Sequence, residues 1–459
     1  MRIERDSMGE VAVPDDALYG ASTQRAVDNF PISDLRFGPR FVWALGLIKA
    51  SAAEMNKSLG SVDAEKADSI IQAGEEMMEG RFNDQFVVDI FQTGSGTSTN
   101  MNANEVLANR ATEILGGVIG SKLVHPNDHV NAGQSSNDVI PTAMHVAAVA
   151  AMEEDLLPAL RDLHAGLAAK AVEFDDVLKS GRTHLQDATP IRLGQEFSGY
   201  AAQVEYAALR IENVLPQLRA LALGGTAVGT GINAPKGFAA GTIEIMNRRS
   251  GFSFTEADNH FEAQAAKDAY VDASGTLKTV ATSMFKIVND LRWLSSGPRS
   301  GIGEITLPSL QPGSSIMPGK INPVIPEAVM MIAARVIGND LTITWGGANG
   351  NFELNVMMPV MAYAMLESIE LLAAGAAVLK EKTVDGIVAN VERAAWLLDQ
   401  NAIIATALVP YIGYEKAGVV TKRAFAEGRS VREIALEMEV LPPDELAKAL
   451  DVRPMTEGG

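Results

Sequence analysis

No cysteine occurs among the 459 residues. That absence removes disulfides, a thiolate nucleophile, Cys-bound zinc and cysteine-ligated iron–sulfur clusters together. Positive charge is also scarce, with 38 Lys and Arg against 57 Asp and Glu and a net charge of −19. Nucleic-acid binding wants a basic footprint and an anionic membrane surface repels such a chain, so neither partner is expected. Uninterrupted apolar runs of about 18 residues are missing, which argues against a membrane-spanning helix. The opening MRIERDSMGEVAVP has no apolar core of signal-peptide length. A cytoplasmic protein is the simplest expectation.

What is present is mostly helix-forming. Apolar residues recur at helical spacing over 40–59 (Val42, Leu45, Ile48, Ala52, Met55), and Asp63 reads as the N-cap of a second helix toward Glu79. A further helix is expected over 102–115. Ala-rich stretches at 141–174, 192–223, 259–294, 326–344 and 354–382 read as long helices. In the third of these, Val271, Leu277, Val280, Met284, Val288 and Leu291 form one apolar stripe. Such a helix spans roughly 50 Å at 1.5 Å per residue, more than a compact globule needs. An extended bundle completed by other subunits follows. The expected division is an N-terminal helical domain (1–134), a central long-helix bundle (135–391) and a small C-terminal helical domain (392–459). No internal repeat and almost no strand is evident.

Four polar segments interrupt this background, at 94–104, 125–138, 181–190 and 311–327. The last, QPGSSIMPGKINPVIPE, is the focal one. Its prolines forbid a continuous helix, and it gathers Ser314, Ser315, Lys320, Asn322 and Glu327 on a loop. It is not a phosphate-binding loop, because five residues separate Gly313 from Gly319 and Ile321 follows the lysine. Nor is GGTAVGTGINAP at 224–235 a dinucleotide fingerprint, since it follows a helical pattern instead of a strand. Pro126 speaks against a zinc-binding helix through His125 and His129. His145 and His164 read as packing or surface residues. His184, in a segment punctuated by Gly, Thr and Pro and read as a loop or helix entry, is balanced between a structural role and a site role. Together the segments offer many neutral donors and one obvious cation, Lys320. That set suits a small anion such as a dicarboxylate, held by hydroxyls, amides and helix N-termini.

These blocks resemble the fumarase/aspartase superfamily, and within it the class II fumarases. GSSIMPGKINP at 313–323 is similar to the superfamily signature; SGTSTNMNANE at 95–105, HPND at 125–128, QSSND at 134–138 and GRTHLQDATP at 181–190 resemble the other family blocks, in the family's order. The likeness extends through LGQEFSGY (193–200), NDLRWLSSGPR (289–299) and GGANGNFELNV (346–356). It implies a mainly α, three-domain fold whose central long helices form a tetrameric core, with each active site built from three subunits. It implies reversible hydration of fumarate to L-malate, without metal or organic cofactor. Ser314 would take the C3 proton, His184 would act at the hydroxyl end with Glu327 as its partner, and Lys320 would stabilise the aci-carboxylate. Lys320 and Asn322 would hold a substrate carboxylate, helped by Ser95, Gly96, Thr97, Asn100, Ser135, Ser136, Asn137, Thr183 and Ser315. Lys122, His125, Asn127 and Asp128 would match a second, peripheral anion site. There the chain departs from the pattern, with His129 where fumarases often carry Asp and Lys122 where they carry Arg. Tyr19 replaces a common Trp. An aspartate ammonia-lyase on the same fold is the nearest alternative, and a non-catalytic scaffold is disfavoured because the serine, lysine and histidine are all retained.

Overall fold

The computed structural model describes residues 1–457. In chain order the long helices are α1 (Ala21–Asn29), α2 (Pro39–Ser58), α3 (Ala64–Met78), α4 (Thr97–Ile114), α5 (Ser136–Ala151) and α6 (Leu157–Glu173). They continue as α7 (Leu193–Leu218), α8 (Phe238–Ser250), the short α9 (His260–Ala265), α10 (Asp268–Leu294), α11 (Val324–Gly347) and α12 (Met358–Lys382). Shorter helices fill 391–449. The fold is mainly α, as the stripes lead one to expect.

Two compact units form. One gathers Met1–Pro158, Leu209–Ala281 and Ala334–Ala373, the other Ala159–Ala208, Thr282–Ala333 and the chain from Ala374 on. In the first unit, α2 is the central element, packed by α3, α5 and α8. Pro39 opens it at a position where a missing N–H costs nothing. Phe41, Leu45, Ile48 and Ala52 are sealed from solvent, and a fully buried side chain of the larger kind contributes about 1.5–3 kcal/mol. In the second unit the C-terminal helices close over their own core of Leu398, Leu408, Val420, Ile434 and Leu446.

Several boundaries differ from expectation, each for a local reason. α4 starts at Thr97, because Gly96 supplies a left-handed N-cap (φ 72°) where a Cβ would also meet Ile140 at 2.8 Å. α5 starts at Ser136 rather than at Pro141, because Ser135 and Asp138 form a reciprocal capping box. The 259–294 stretch is two helices. Lys267 turns inward at the break and donates to the carbonyls of Ala263, Gln264 and Ala266 at 2.8–2.9 Å, satisfying the end of α9. Strand is scarce but present. Residues 181–190, read above as a loop or helix entry, belong to a hairpin of β3 (Leu178–Thr183) and β4 (Gln186–Arg192). At the amino terminus a second hairpin pairs β1 (Arg2–Asp6) with β2 (Gly9–Val13). The stretch Met358–Gly386 is long and apolar enough to cross a membrane, and 50 % of its most apolar window is buried within the chain.

Candidate active site

The first unit brings two helix starts together. Gly96 leads α4 and Ser135 leads α5, and the hydroxyls between them form a chain: Ser95 Oγ to Thr97 Oγ1 at 2.7 Å, and Thr97 Oγ1 to Ser136 Oγ at 2.7 Å. Each start carries the positive end of a helix dipole, although the Thr99 N–H is already taken by Gln92 Oε1. Ser135 Oγ accepts the N–H of Asn137, whose side-chain amide donates to the Ala227 carbonyl at 2.8 Å. Asn100 donates to Asn131 Oδ1 at 3.2 Å, while its own carbonyl oxygen is buried without a donor.

Two charged residues under this cluster were not singled out from the sequence. Asp138 is fully buried and accepts N–H groups from Ser135, Gly224 and Thr226 at 2.9–3.0 Å, tying the glycine-rich 224–231 segment to α5. Burial pushes its carboxyl up, against the pull of those bonds. Lys49, on α2, donates to Asn131 Oδ1 and Gln134 Oε1 at 2.9 and 3.0 Å, and burial pushes its ammonium down to about 7. The signal for Lys49 lay in the stripe itself, where a charge beside Leu45, Ile48 and Ala52 is out of place.

The second unit holds the other candidates. Ser314 lies on the irregular 311–323 loop, and its Oγ accepts the backbone N–H groups of Met317 at 3.0 Å and Ile316 at 3.3 Å. The loop is closed by Gly313 N–H to the Lys320 carbonyl and by Asn322 Nδ2 to the Gly313 carbonyl, both at 2.8 Å. Only glycine fits at 313, since a Cβ would stand 2.5 Å from the Lys320 carbonyl oxygen. Ser314 and Lys320 line a common recess of about 450 Å³. The Lys320 ammonium is exposed and has no acceptor among the described residues. Ser315 is exposed, and Glu327 falls in the first turn of α11.

Thr183 and His184 sit at the tip of the β3–β4 hairpin. Thr183 pairs with Gln186 across a two-residue turn, and both turn residues, His184 and Leu185, are left-handed (φ 59° and 60°). Such turns prefer Asn-Gly or Asp-Gly, so a β3–β4 tip built from His and Leu is strained. What holds it is buried beneath. Glu304, 0 % exposed, takes a two-pronged ion pair from Arg182 at 2.9 Å on each prong and a third contact from Lys179 at 3.2 Å. Asn401 donates to Ser180 Oγ and the Ala188 carbonyl, bracing both strands. His184 is exposed at the end of this support. No hydrogen bond or ion pair joins it to Glu327 among the described residues.

Lys122, His125 and Asn127 line one recess of about 740 Å³ in the first unit together with Arg5 and Arg25; Asp128 does not line it. Lys122 is engaged by the Arg5 carbonyl at 2.7 Å, and Arg25 is paired with Asp6. His125 Nδ1 accepts N–H groups from Asn127 and Asp128. His129 Nδ1 accepts from the His125 backbone at 2.7 Å, and burial holds its imidazole below the usual histidine range. His145 is buried, stacked on Tyr270, bonded to the Ala220 carbonyl and pushed down to about 4 by burial. His164 bonds the Ala201 carbonyl. Both fit a packing role.

The arrangement has close counterparts. A family model described as lyase matches residues 9–338, and one described as fumarase C C-terminus matches 404–457. A class II fumarate hydratase of Halobacterium salinarum is 55 % identical, with 100 % of this chain and 97 % of that protein covered. The class II fumarate hydratase of Mycobacterium tuberculosis is 51 % identical over 99 % of this chain and 96 % of its own. Among solved structures, the class II fumarase from Schistosoma mansoni superposes with a TM-score of 0.96 at 38 % identity, covering 99 % of this chain and 98 % of that one. A serine loop, a strained histidine hairpin and a pair of hydroxyl-rich helix starts, carried on a chain matched end to end at about half identity, have one consistent assignment: the chain belongs to the class II fumarate hydratase family.

Proposed function

We propose that the chain catalyses the reversible hydration of fumarate to L-malate, with Ser314 as the base. The observation that carries the proposal is the pair of backbone N–H groups aimed at Ser314 Oγ. A serine hydroxyl is a poor base because its alkoxide is unstable in water. Two fixed donors and the Lys320 charge lining the same recess favour that alkoxide. In the dehydration direction Ser314 takes the C3 proton of malate. Charge then accumulates on the adjacent carboxylate, where Lys320 and Asn322 stabilise it. His184 delivers a proton, through a water, to the C2 hydroxyl, which departs as water; hydration is the reverse. Thr183 and Ser315 add donors beside these groups. The other carboxylate meets Ser95, Gly96, Thr97, Asn100, Ser135, Ser136 and Asn137, where two helix N-termini favour an anion. Each step is covered by side chains of the protein, so the proposal needs no metal or organic cofactor.

The same reading makes the protein a homotetramer. On α11, Met331, Ile337, Leu341 and Trp345 share one face with Ala334 and Gly338, and Leu341 and Trp345 are each 69 % exposed. An apolar stripe of this kind needs a partner, and a further copy presents the same stripe. Contact between copies would also give His184 the Glu327 carboxylate it lacks within one chain. The second anion site at Lys122, His125, Asn127 and Asp128 is proposed only as a peripheral binding place, since Lys122 already has an acceptor.

Purified protein followed by ultraviolet absorbance of the fumarate double bond tests the proposal. L-malate is expected to generate fumarate, and L-aspartate is not. Fumarate formed from L-aspartate alone would overturn it in favour of the ammonia-lyase.

A further inference from the structure

Lys49 is 0 % exposed on α2, and no carboxylate lies within ion-pair distance of it among the described residues. Two of its three N–H groups go to the neutral oxygens Asn131 Oδ1 and Gln134 Oε1. The same Asn131 oxygen receives the side-chain amides of Asn100 and Asn104, each at 3.2 Å. Asn100 stands in the first turn of α4, and Gln134 directly precedes the Ser135 cap of α5. The ammonium is therefore linked to the start of α4 through Asn131 and to the start of α5 through Gln134.

The charged group that acts on Lys49 is Asp138 of α5, whose oxygens are already occupied by three backbone N–H groups. α4 and the 131–134 segment face it with the neutral amides of Asn100, Asn104, Asn131 and Gln134, and α3 and α8 add no charge that bears on it. For packing alone, an apolar side chain of similar volume would serve better, because burying an unpaired charge costs stability. A charge kept at that cost is explained by an opposite charge that arrives later.

We propose that Lys49 is a positioning and field residue for the substrate: its buried ammonium, acting through Asn131 on Asn100, draws one carboxylate of the dianion to the paired starts of α4 and α5. This rests on the reading that the carboxylate binds there. The charge does not touch the anion; it orients the amide that does, and adds a second cation to Lys320. The sign of the pH dependence follows. Burial holds Lys49 at about 7, so it is charged below that value and neutral above. A bound dianion favours the charged form, so affinity falls as pH rises through about 7, and binding above it takes up a proton. In the free protein the depressed value means that the unfolded chain binds more protons between about 7 and the ordinary lysine value near 10.4, so the charge costs stability at and below neutrality.

The test uses the full-length oligomer with succinate, a four-carbon dianion that cannot lose water. Calorimetric affinity at pH 6.5 and 8.5, melting temperature, kcat and KM are compared for wild type, Lys49→Met and Asn131→Asp. The second variant keeps the lysine but cancels its field with an adjacent carboxylate. Lys49→Met is expected to melt at or above the wild-type temperature, and both variants to bind succinate about tenfold or more weakly at pH 6.5. Both should lose the pH dependence, with KM changing more than kcat. Wild-type affinity and pH dependence in either folded variant would overturn the inference, as would a Lys49→Met protein that is destabilised yet binds normally. Thr97→Ala separates the two levels: if it binds succinate like wild type, the carboxylate site itself is misplaced; if it is weakened while the Lys49 and Asn131 variants are not, only the role of Lys49 fails.

Discussion

Ser314→Ala is expected to lower turnover at least about a hundredfold, while KM stays within a few-fold and the oligomer is retained. The substitution removes one oxygen from an open loop, so packing has little to lose. The loop is closed by the Gly313–Lys320 and Asn322–Gly313 hydrogen bonds, neither of which uses the serine side chain. What disappears is the proposed acceptor for the C3 proton and the oxygen that takes the N–H groups of Ile316 and Met317. A hundredfold loss corresponds to about 2.7 kcal/mol of transition-state stabilisation. Steady-state kinetics on malate and fumarate provide the measurement. Near-normal turnover in a folded Ser314→Ala protein would remove the serine from the mechanism.

His184→Asn is the second large effect, again a loss of at least about a hundredfold in turnover. Asparagine is chosen because it tolerates the left-handed conformation that the tip of the hairpin requires. The turn should therefore survive, with Arg182, Lys179 and Glu304 still locked beneath it. The variant then reports on the lost imidazole and not on a collapsed hairpin. A circular-dichroism melt close to wild type, together with the kinetic loss, is the expected pair of results. Full activity would return His184 to a structural role.

How much of this was legible beforehand depended on whether a residue's neighbours in sequence were also its neighbours in space. α2 and α3 were readable because their stripes are local. The hairpin was hidden because His184 and Leu185 take the positive φ values that Asn and Gly normally advertise. The starts of α4 and α5 lie earlier than the apolar periodicity suggests, because Ser, Thr and Asn serve equally in loops and caps; the left-handed Gly96 decides the first and the Ser135–Asp138 pairing the second. Ser314 and Lys320 stood out in a loop of unusual composition. Glu304 did not, since its partner Arg182 lies 122 residues away. Lys49 interrupts the apolar stripe of α2, but only the packing of α3, α5 and α8 around that helix shows that its ammonium is sealed in. The polar groups proposed to meet a substrate thus stand out more readily in the sequence than the buried charges packed beneath them.

A site shared between subunits, as the resemblance implies, combined with the proposed roles, requires that the helix starts of one copy and the serine loop of another make a single site. Mixing two inactive proteins tests it most directly. Asn137→Asp sets a carboxylate in the proposed anion site of the first unit, and Ser314→Ala removes the proposed base of the second. Each alone is expected to be nearly inactive. When the two are dissociated, mixed in equal amounts and reassembled, a site that draws one group from each copy escapes both lesions in about a quarter of random pairings. The account predicts that roughly this fraction of wild-type activity returns. If the hybrid oligomers form and remain as inactive as their parents, the two sets of residues belong to the same chain's site or to none, and the account is contradicted.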